Sequence, residues 1–162
     1  MQGPGLPGGD PARLAAEVAD RALRLGWSVA AAESLTNGAL ASVLGAAPLA
    51  SEWFRGSVVA CARGVTVDLL GVSEDPVVSA GAALTMAQEA ARLLGADLGV
   101  ALTGVRGPEP EGGQPAGTVW YGVVWPHGKS VEERWFPGAV AEVIDGATVH
   151  ALHLLRRRLR EQ

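Results

Sequence analysis

The stretch that most constrains the fold is residues 28–45, where a run of small apolar residues gives way to a helical pattern within a few positions. Residues 28–32 have the length and composition of a buried strand. Three polar residues then break the run: Ser34, Thr36 and Asn37. The alanine and leucine spacing that follows predicts a helix ending at Gly45. Such a turn lies at the helix N-terminus, where free N–H groups favour an anion or an oxyanion.

Helical and strand patterns alternate along the rest of the chain, and they predict a layered α/β/α domain with a mixed sheet. Helical spacing recurs in four further segments: residues 11–25, 63–70, 83–94 and 140–159. Short apolar runs predict three strands, at residues 28–33, 56–61 and 98–103. Two β-rich runs, residues 118–125 and 130–136, are separated by residues 126–129 and predict a hairpin.

The composition argues against several classes of protein. Residues 1–9, rich in glycine and proline, predict a flexible N-terminal tail, and residues 10–162 predict one domain. A net charge of −4 gives no reason to expect a nucleic-acid partner, and no apolar run approaches the ~20 residues that cross a bilayer. The start of the chain lacks the pattern of a signal peptide, and the single cysteine, Cys61, can form no disulfide within the chain. Both features favour a cytoplasmic location.

The ends of two predicted strands indicate a ligand site, because ligands of layered α/β domains bind beyond the carboxyl ends of strands. These ends carry Glu33-Ser34 and Thr103-Gly104, and we expect a site between them. Ser34 is then either a nucleophile or, like Thr36, a cap of the following helix, a position that both residue types favour. Thr103-Gly104 either lines the site or only ends its strand.

Four further residues have an ordinary interpretation beside a functional one. Arg106, in a loop rich in glycine and proline, is either an anion-binding group or a solvated arginine. Cys61 is either a reactive thiol or a small apolar strand residue. His150 and His153 are spaced to face one metal ion, but no third ligand accompanies them. We therefore expect a structural role for both histidines and no metal.

Several motifs occur in an order that identifies a family. They are A-E-S-L-T-N-G at residues 32–38, V-V-A at 58–60, L-L-G-V at 69–72, G-A-D-L-G-V-A-L-T-G-V-R-G-P at 95–108 and P-A-G-T-V at 115–119. Together they resemble the C-terminal domain of the CinA (competence/damage-inducible) family over nearly the whole chain after the tail.

This resemblance implies a function and a set of site residues. Enzymatic members of the family hydrolyse the amide of nicotinamide mononucleotide to give nicotinate mononucleotide and ammonia, and we expect no cofactor. The serine of the A-E-S motif, here Ser34, is the family's nucleophile. The resemblance also implies a homo-oligomer with a small nucleotide as ligand. The residues expected to bind it are Glu33, Thr36, Asn37, Gly38, Thr103, Gly104, Arg106 and Gly107.

The chain departs from the family pattern at the positions of the groups that activate the serine nucleophile. The family's lysine, which removes the serine proton, is replaced by Thr66, and its supporting tyrosine is replaced by Cys61. A threonine hydroxyl has no pKa that lets it act as a base near neutral pH. Lys129, the only lysine, is expected in the hairpin turn, away from the site. Residues 139–146 also lack the arginines that the family carries there.

Three interpretations follow from these departures. The first is a CinA-type domain that has kept its nucleotide pocket, intact or remodelled, and lost amide hydrolysis. The second is an active amidohydrolase that uses Ser34 with a different base or substrate. The third is a structural or partner-binding module that binds no small molecule. Whether the chain is an enzyme is therefore open from its sequence.

Overall fold

The structure is a computed structural model that describes residues 8–73 and 76–162. Most of the predicted tail, residues 1–7, lies outside the described residues. The helices and strands are α1 (Pro11–Leu25), β1 (Val29–Glu33), α2 (Ala39–Gly45), α3 (Ala50–Trp53), β2 (Phe54–Val59), α4 (Arg63–Asp68), α5 (Ala80–Leu94), β3 (Leu98–Gly104), β4 (Thr118–Trp125), β5 (Gly128–Trp135) and α6 (Val140–Arg160). Among the described residues, we find no helix both long and apolar enough to cross a membrane.

The five strands form one mixed sheet in the order β2-β1-β3-β4-β5. β1 is parallel to both β2 and β3, whereas β4 and β5 are added antiparallel. Glu33 pairs with Val59 on one side and with Leu102 on the other, so the carboxyl ends of the three parallel strands lie at the same edge. This arrangement confirms the predicted mixed sheet and the α/β fold class.

Helices cover both faces of the sheet, as the predicted α/β/α layering requires. On one face, α1 packs against α6 over a core of large aliphatic and aromatic side chains, among them Trp53 and Tyr121. On the other face, α5 packs on strands that present mainly alanine. Glycine allows this close contact, because a Cβ at Gly99 would lie 2.2 Å from the carbonyl oxygen of Ala87. The position of α5 is therefore fixed against the centre of the sheet.

The hairpin differs from its prediction in one respect that concerns the only lysine. β4 and β5 are joined by two residues, Pro126 and His127, and not by the predicted four. Lys129 therefore lies within β5, opposite Val124, and not in the turn. The alternation of exposed and half-buried side chains along β5 begins at Gly128, which is why the strand starts earlier than expected. A short helix, α3, also forms between α2 and β2, where no helix was predicted.

The two histidines of α6 have different partners, in agreement with their predicted structural role. The Nε2 atom of the buried His150 lies 2.6 Å from Oε1 of Glu132, and the ring stacks edge-on against Tyr121. His153 instead hydrogen bonds through Nε2 to the carbonyl oxygen of Gly8 at 2.9 Å. In the described ranges, no three His, Cys, Asp or Glu residues are grouped to hold a metal ion.

The contact between His150 and Glu132 couples the folding of the chain to pH. Burial lowers the pKa of His150 below its ordinary value of 6.5, although the carboxylate of Glu132 acts in the opposite direction. Burial also acts to raise the pKa of Glu132, but hydrogen bonds from Arg134 and His150 outweigh it and hold that pKa below 4.5. The unfolded chain therefore binds protons more readily than the folded one at both groups.

We expect the free energy of unfolding to fall on acidification in two stages. The contribution of His150 is complete above pH 6.5 and is lost below it, and that of Glu132 is lost as the pH falls below 4.5. Urea unfolding at a series of pH values between neutral and acidic measures both contributions. In the His150→Gln variant, the fall that begins near pH 6.5 should disappear while the later one remains. An unchanged pH profile in this variant would contradict the assignment.

Candidate functional site

A cleft of about 590 Å³ opens beyond the carboxyl ends of β1 and β3, where the strand ends predict a site. Its volume is within the range of small-molecule pockets. Eight of the residues predicted for the site line this one cleft: Ser34, Asn37, Cys61, Thr66, Thr103, Gly104, Arg106 and Gly107. The cleft therefore draws on both strand ends, on the segment after β2 and on the loop after β3.

Ser34 is the first residue after β1, and its backbone is held at the end of β3. Its N–H donates to the carbonyl oxygen of Leu102 at 3.3 Å, and its Oγ–H donates to the same oxygen at 3.4 Å. The second of these hydrogen bonds is long, and its acceptor is a main-chain group that cannot take up a proton. The helix that follows begins only at Ala39, with Gly38 as its N-cap and no capping side chain from Ser34.

The N-terminus of α2 is satisfied by Glu33, and this corrects the expectation that Ser34 or Thr36 caps the helix. The fully buried carboxylate accepts hydrogen bonds from Leu40 N and Ala41 N, both at 3.0 Å. The Thr36 hydroxyl donates to it at 2.8 Å and the Ser57 hydroxyl at 2.9 Å. The anion that the helix N-terminus favours is thus supplied by the chain itself.

Three of the predicted binding residues consequently lie outside the lining of the cleft. Glu33 is 0% exposed and Thr36 is 2% exposed, and each is bound to the other behind the cleft. Gly38 has a left-handed backbone at φ +90°, and a Cβ there would face Val59. These three residues shape the turn that places Asn37 at the cleft. Asn37 has a left-handed φ of +52°, a conformation that asparagine tolerates.

The two positions that replace the family's lysine and tyrosine also lie in the cleft. Thr66, on α4, is only 1% exposed, and its hydroxyl has no hydrogen-bond partner within the described part of the chain. Cys61 is exposed, and its thiol donates to the Oδ1 atom of Asn37 at 3.4 Å. The cleft therefore holds a threonine hydroxyl in the place of the family's lysine, beside a thiol that is already paired.

Thr103 and the glycines after it shape the opposite wall. The Thr103 hydroxyl donates to the carbonyl oxygen of Val77 at 2.9 Å, and this bond brings Val77 and Val78 to the cleft. A Cβ at Gly104 would lie 2.5 Å from the carbonyl oxygen of Thr118, so that position requires glycine. The site prediction missed both valines, because no local pattern shows that the segment before α5 folds over the end of β3.

The charges of the cleft come from two arginines and from two glutamates of the loop. Arg106 is exposed and forms no hydrogen bond or ion pair with any residue that the structure describes. Arg63 contributes a second guanidinium to the lining. Glu109 and Glu111, in the loop after β3, also line the cleft. The guanidinium of Arg106 is therefore available for an anionic ligand.

The described lining of the cleft includes no lysine, histidine or tyrosine. Lys129 lies at the opposite end of the sheet, because it pairs with Val124, which pairs in turn with Gly99 near the start of β3. The described lining also draws no residue from α6, whose first turns lack the family's arginines. Ser34 is thus in a ligand-sized cleft without a nitrogen base beside it.

Comparison with known proteins was made for both sequence and structure. A family model described as the CinA C-terminal domain matches residues 11–159. A CinA-like protein of Frankia casuarinae is 37% identical over 162 residues, covering 97% of this chain and 37% of that protein. The crystal structure of competence damage-inducible protein A (ComA) from Klebsiella pneumoniae matches with a TM-score of 0.89 at 30% identity, covering 94% of this chain and 98% of that one.

A second solved structure and a second relative agree with these findings. A CinA superfamily protein from Escherichia coli has a TM-score of 0.87 at 29% identity, covering 97% of this chain and 94% of that one. A protein of Limosilactobacillus reuteri is 41% identical over 120 residues, covering 71% of this chain and 29% of that protein. The chain thus spans only about a third of the length of the curated relatives that it matches.

Proposed function

Because this chain belongs to the family of CinA C-terminal domains, we propose that its cleft binds a pyridine mononucleotide and no longer hydrolyses the amide. Nicotinamide mononucleotide is the ligand that the resemblance implies. The observation that carries the proposal is a cleft that contains Ser34 but no lysine, histidine or tyrosine in its described lining.

The loss of hydrolysis follows from what a serine nucleophile requires. A hydroxyl attacks an amide carbonyl only when a neighbouring base takes its proton, and that base is commonly a histidine or a neutral lysine. In this cleft the Ser34 hydroxyl donates to the carbonyl oxygen of Leu102, which cannot act as a base. Thr66, in the place of the family's lysine, supplies a hydroxyl with no pKa near neutrality.

Retention of a nucleotide pocket is supported by the groups that are left without partners. The guanidinium of Arg106 suits a phosphate, to which arginine donates two parallel hydrogen bonds. The Thr66 hydroxyl belongs to a residue that lines the cleft, and it makes no hydrogen bond with the described residues. A ligand with a polar group at the floor of the cleft and an anion at Arg106 pairs with both.

We expect isothermal titration to detect binding of nicotinamide mononucleotide to the purified chain, and an ammonia assay of the same mixture to detect no release above buffer. Arg106→Ala should weaken binding about 10-fold or more, because a hydrogen bond to a charged group contributes about 1.5–3 kcal/mol. Arg160→Ala is the matched control, since Arg160 is an exposed arginine at the far end of α6.

Two results would contradict the proposal. Ammonia release that stops in a Ser34→Ala variant would show an active amidohydrolase with a different base. Absence of binding to nicotinamide mononucleotide and to nicotinate mononucleotide, with the chain folded, would favour a structural or partner-binding module.

A further inference from the structure

We propose that Asn37 and Cys61 make the cleft selective for a pyridine mononucleotide that carries a carboxylate, so that the acid binds more tightly than the amide. This selectivity rests on the proposed function, because it concerns the ligand of the same cleft. It depends on one hydrogen bond between the two side chains and on the backbone conformation of Asn37.

Asn37 carries its side chain at a backbone position that favours glycine. Its φ of +52° is left-handed, and Leu49 is the only other non-glycine residue with a positive φ among those that the structure describes. Glycine adopts this conformation without steric cost. Asparagine tolerates it and adds a polar amide, and Asn37 lines the cleft. The turn therefore holds a hydrogen-bonding side chain at a place where the backbone does not require one.

The thiol of Cys61 determines which end of that amide is left for a ligand. Its Sγ–H donates to Oδ1 of Asn37 at 3.4 Å, between residues 24 positions apart. The thiol is a weak donor, but turning the amide over would replace the accepting oxygen with a second donor. Oδ1 therefore faces Cys61. The Nδ2 group makes no hydrogen bond with any residue that the structure describes, so both of its hydrogens remain for a ligand.

The strand order places this pair on the side of the cleft away from Arg106. Cys61 follows β2, Asn37 lies in the turn after β1, and Arg106 lies in the loop after β3, so the three follow one another along one edge of the sheet. β2 and β3 are two strand spacings apart, about 10 Å. A mononucleotide carries its phosphate and its ring substituent at opposite ends. With the phosphate at Arg106, the ring substituent therefore reaches the side formed by Asn37.

The groups on this side match a carboxylate better than a carboxamide. Ser34 and Thr66 line the cleft with Asn37, and their hydroxyls can also donate. A carboxylate offers these donors two oxygens, whereas a carboxamide offers one and brings a donor of its own. A hydrogen bond to a charged oxygen is also about twice as strong as one between neutral groups. The carboxylates of the lining, Glu109 and Glu111, belong to the loop after β3, so they do not oppose the acid on this side.

Isothermal titration of the full chain with nicotinate mononucleotide and with nicotinamide mononucleotide measures the selectivity. We expect the acid to bind about 10-fold more tightly than the amide. Asn37→Gly should lower this ratio to about 3-fold or less, because it removes the donor at a conformation that glycine adopts freely. Leu49→Gly is the matched control, since it relieves the same left-handed conformation outside the described lining and should leave the ratio unchanged.

The positioning role of Cys61 is tested by a conservative variant. Cys61→Ala removes the hydrogen that Oδ1 accepts and should lower the ratio about 3-fold, whereas Cys61→Ser keeps a donor and should retain it. Asn37→Asp replaces the NH2 group with a carboxylate oxygen. Because that charge repels the carboxylate of the acid, this variant should bind the amide more tightly than the acid.

Nuclear magnetic resonance observes the contact directly, because Asn37 is the only asparagine in the chain. A chain labelled with nitrogen-15 at the asparagine side-chain amide gives one NH2 signal. This signal should shift when nicotinate mononucleotide is added, and it should shift less with nicotinamide mononucleotide.

The outcomes separate the selectivity from the proposed function. Equal affinity for the acid and the amide, a ratio that Asn37→Gly or Cys61→Ala leaves unchanged, or an NH2 signal that neither ligand shifts would overturn the selectivity while the nucleotide site stands. If the folded chain binds neither ligand, the proposed function is wrong and the selectivity is wrong with it.

Discussion

Replacing Glu33 by alanine is expected to lower the free energy of unfolding by about 3–5 kcal/mol, the largest stability effect that we predict for a single site. The carboxylate is completely buried and accepts four hydrogen bonds, two of them from the N-terminal N–H groups of α2. Alanine leaves those donors and the hydroxyls of Thr36 and Ser57 without a partner, and it also leaves a cavity.

Urea unfolding of a short series of variants distinguishes the contribution of the Glu33 carboxylate from the contributions of its hydrogen-bond donors. Thr36→Val and Ser57→Ala each remove one donor and should cost about 1 kcal/mol. Glu33→Gln keeps one acceptor oxygen and should fall between these variants and alanine. Asp145→Ala, an exposed position on α6, should stay within about 0.5 kcal/mol of the parent. A cost below about 1 kcal/mol for Glu33→Ala would show that the α2 N-terminus does not depend on this group.

The same residue shows how far the sequence determines the site. Composition and spacing predicted β1, the polar turn and a helix after it, because each is a local pattern. They did not predict which side chain caps the helix, because that depends on the path of the turn. The left-handed conformations of Asn37 and Gly38 carry the chain back so that α2 points its free N–H groups at Glu33. A capping carboxylate that accepts from an N–H seven positions later in the chain lies outside the local capping patterns.

The lining of the cleft likewise consists of residues that the sequence predicted and residues that it could not predict. The two strand ends were predicted as one site, because parallel strands carry their carboxyl ends to one edge of a sheet. Val77 and Val78 could not be predicted, since they reach the cleft through a hydrogen bond between Thr103 and the carbonyl of Val77. That contact joins residues 26 positions apart, and neither partner has a distinctive local sequence.

Restoring a base at position 66 is expected to produce the largest change in activity. The double variant Thr66→Lys with Cys61→Tyr should raise ammonia release from nicotinamide mononucleotide by about 10²–10⁴-fold, which is the usual contribution of a positioned general base. Position 66 is 1% exposed and lies in the same cleft as Ser34. Burial disfavours the charged form of a lysine, so it lowers the lysine pKa and leaves a neutral amine that can accept the serine proton.

Two control variants decide whether the gain arises from a base acting on Ser34. Thr66→Met with Cys61→Tyr places a side chain of similar length and no basic nitrogen at the same position, and it should stay as inactive as the parent. Ser34→Ala in the lysine background should abolish the gained activity. If the lysine variant folds and binds the nucleotide but releases no ammonia, more than the base is missing. The first candidates are then the absent arginines of residues 139–146, which would add donors for the ligand's phosphate beside Arg106.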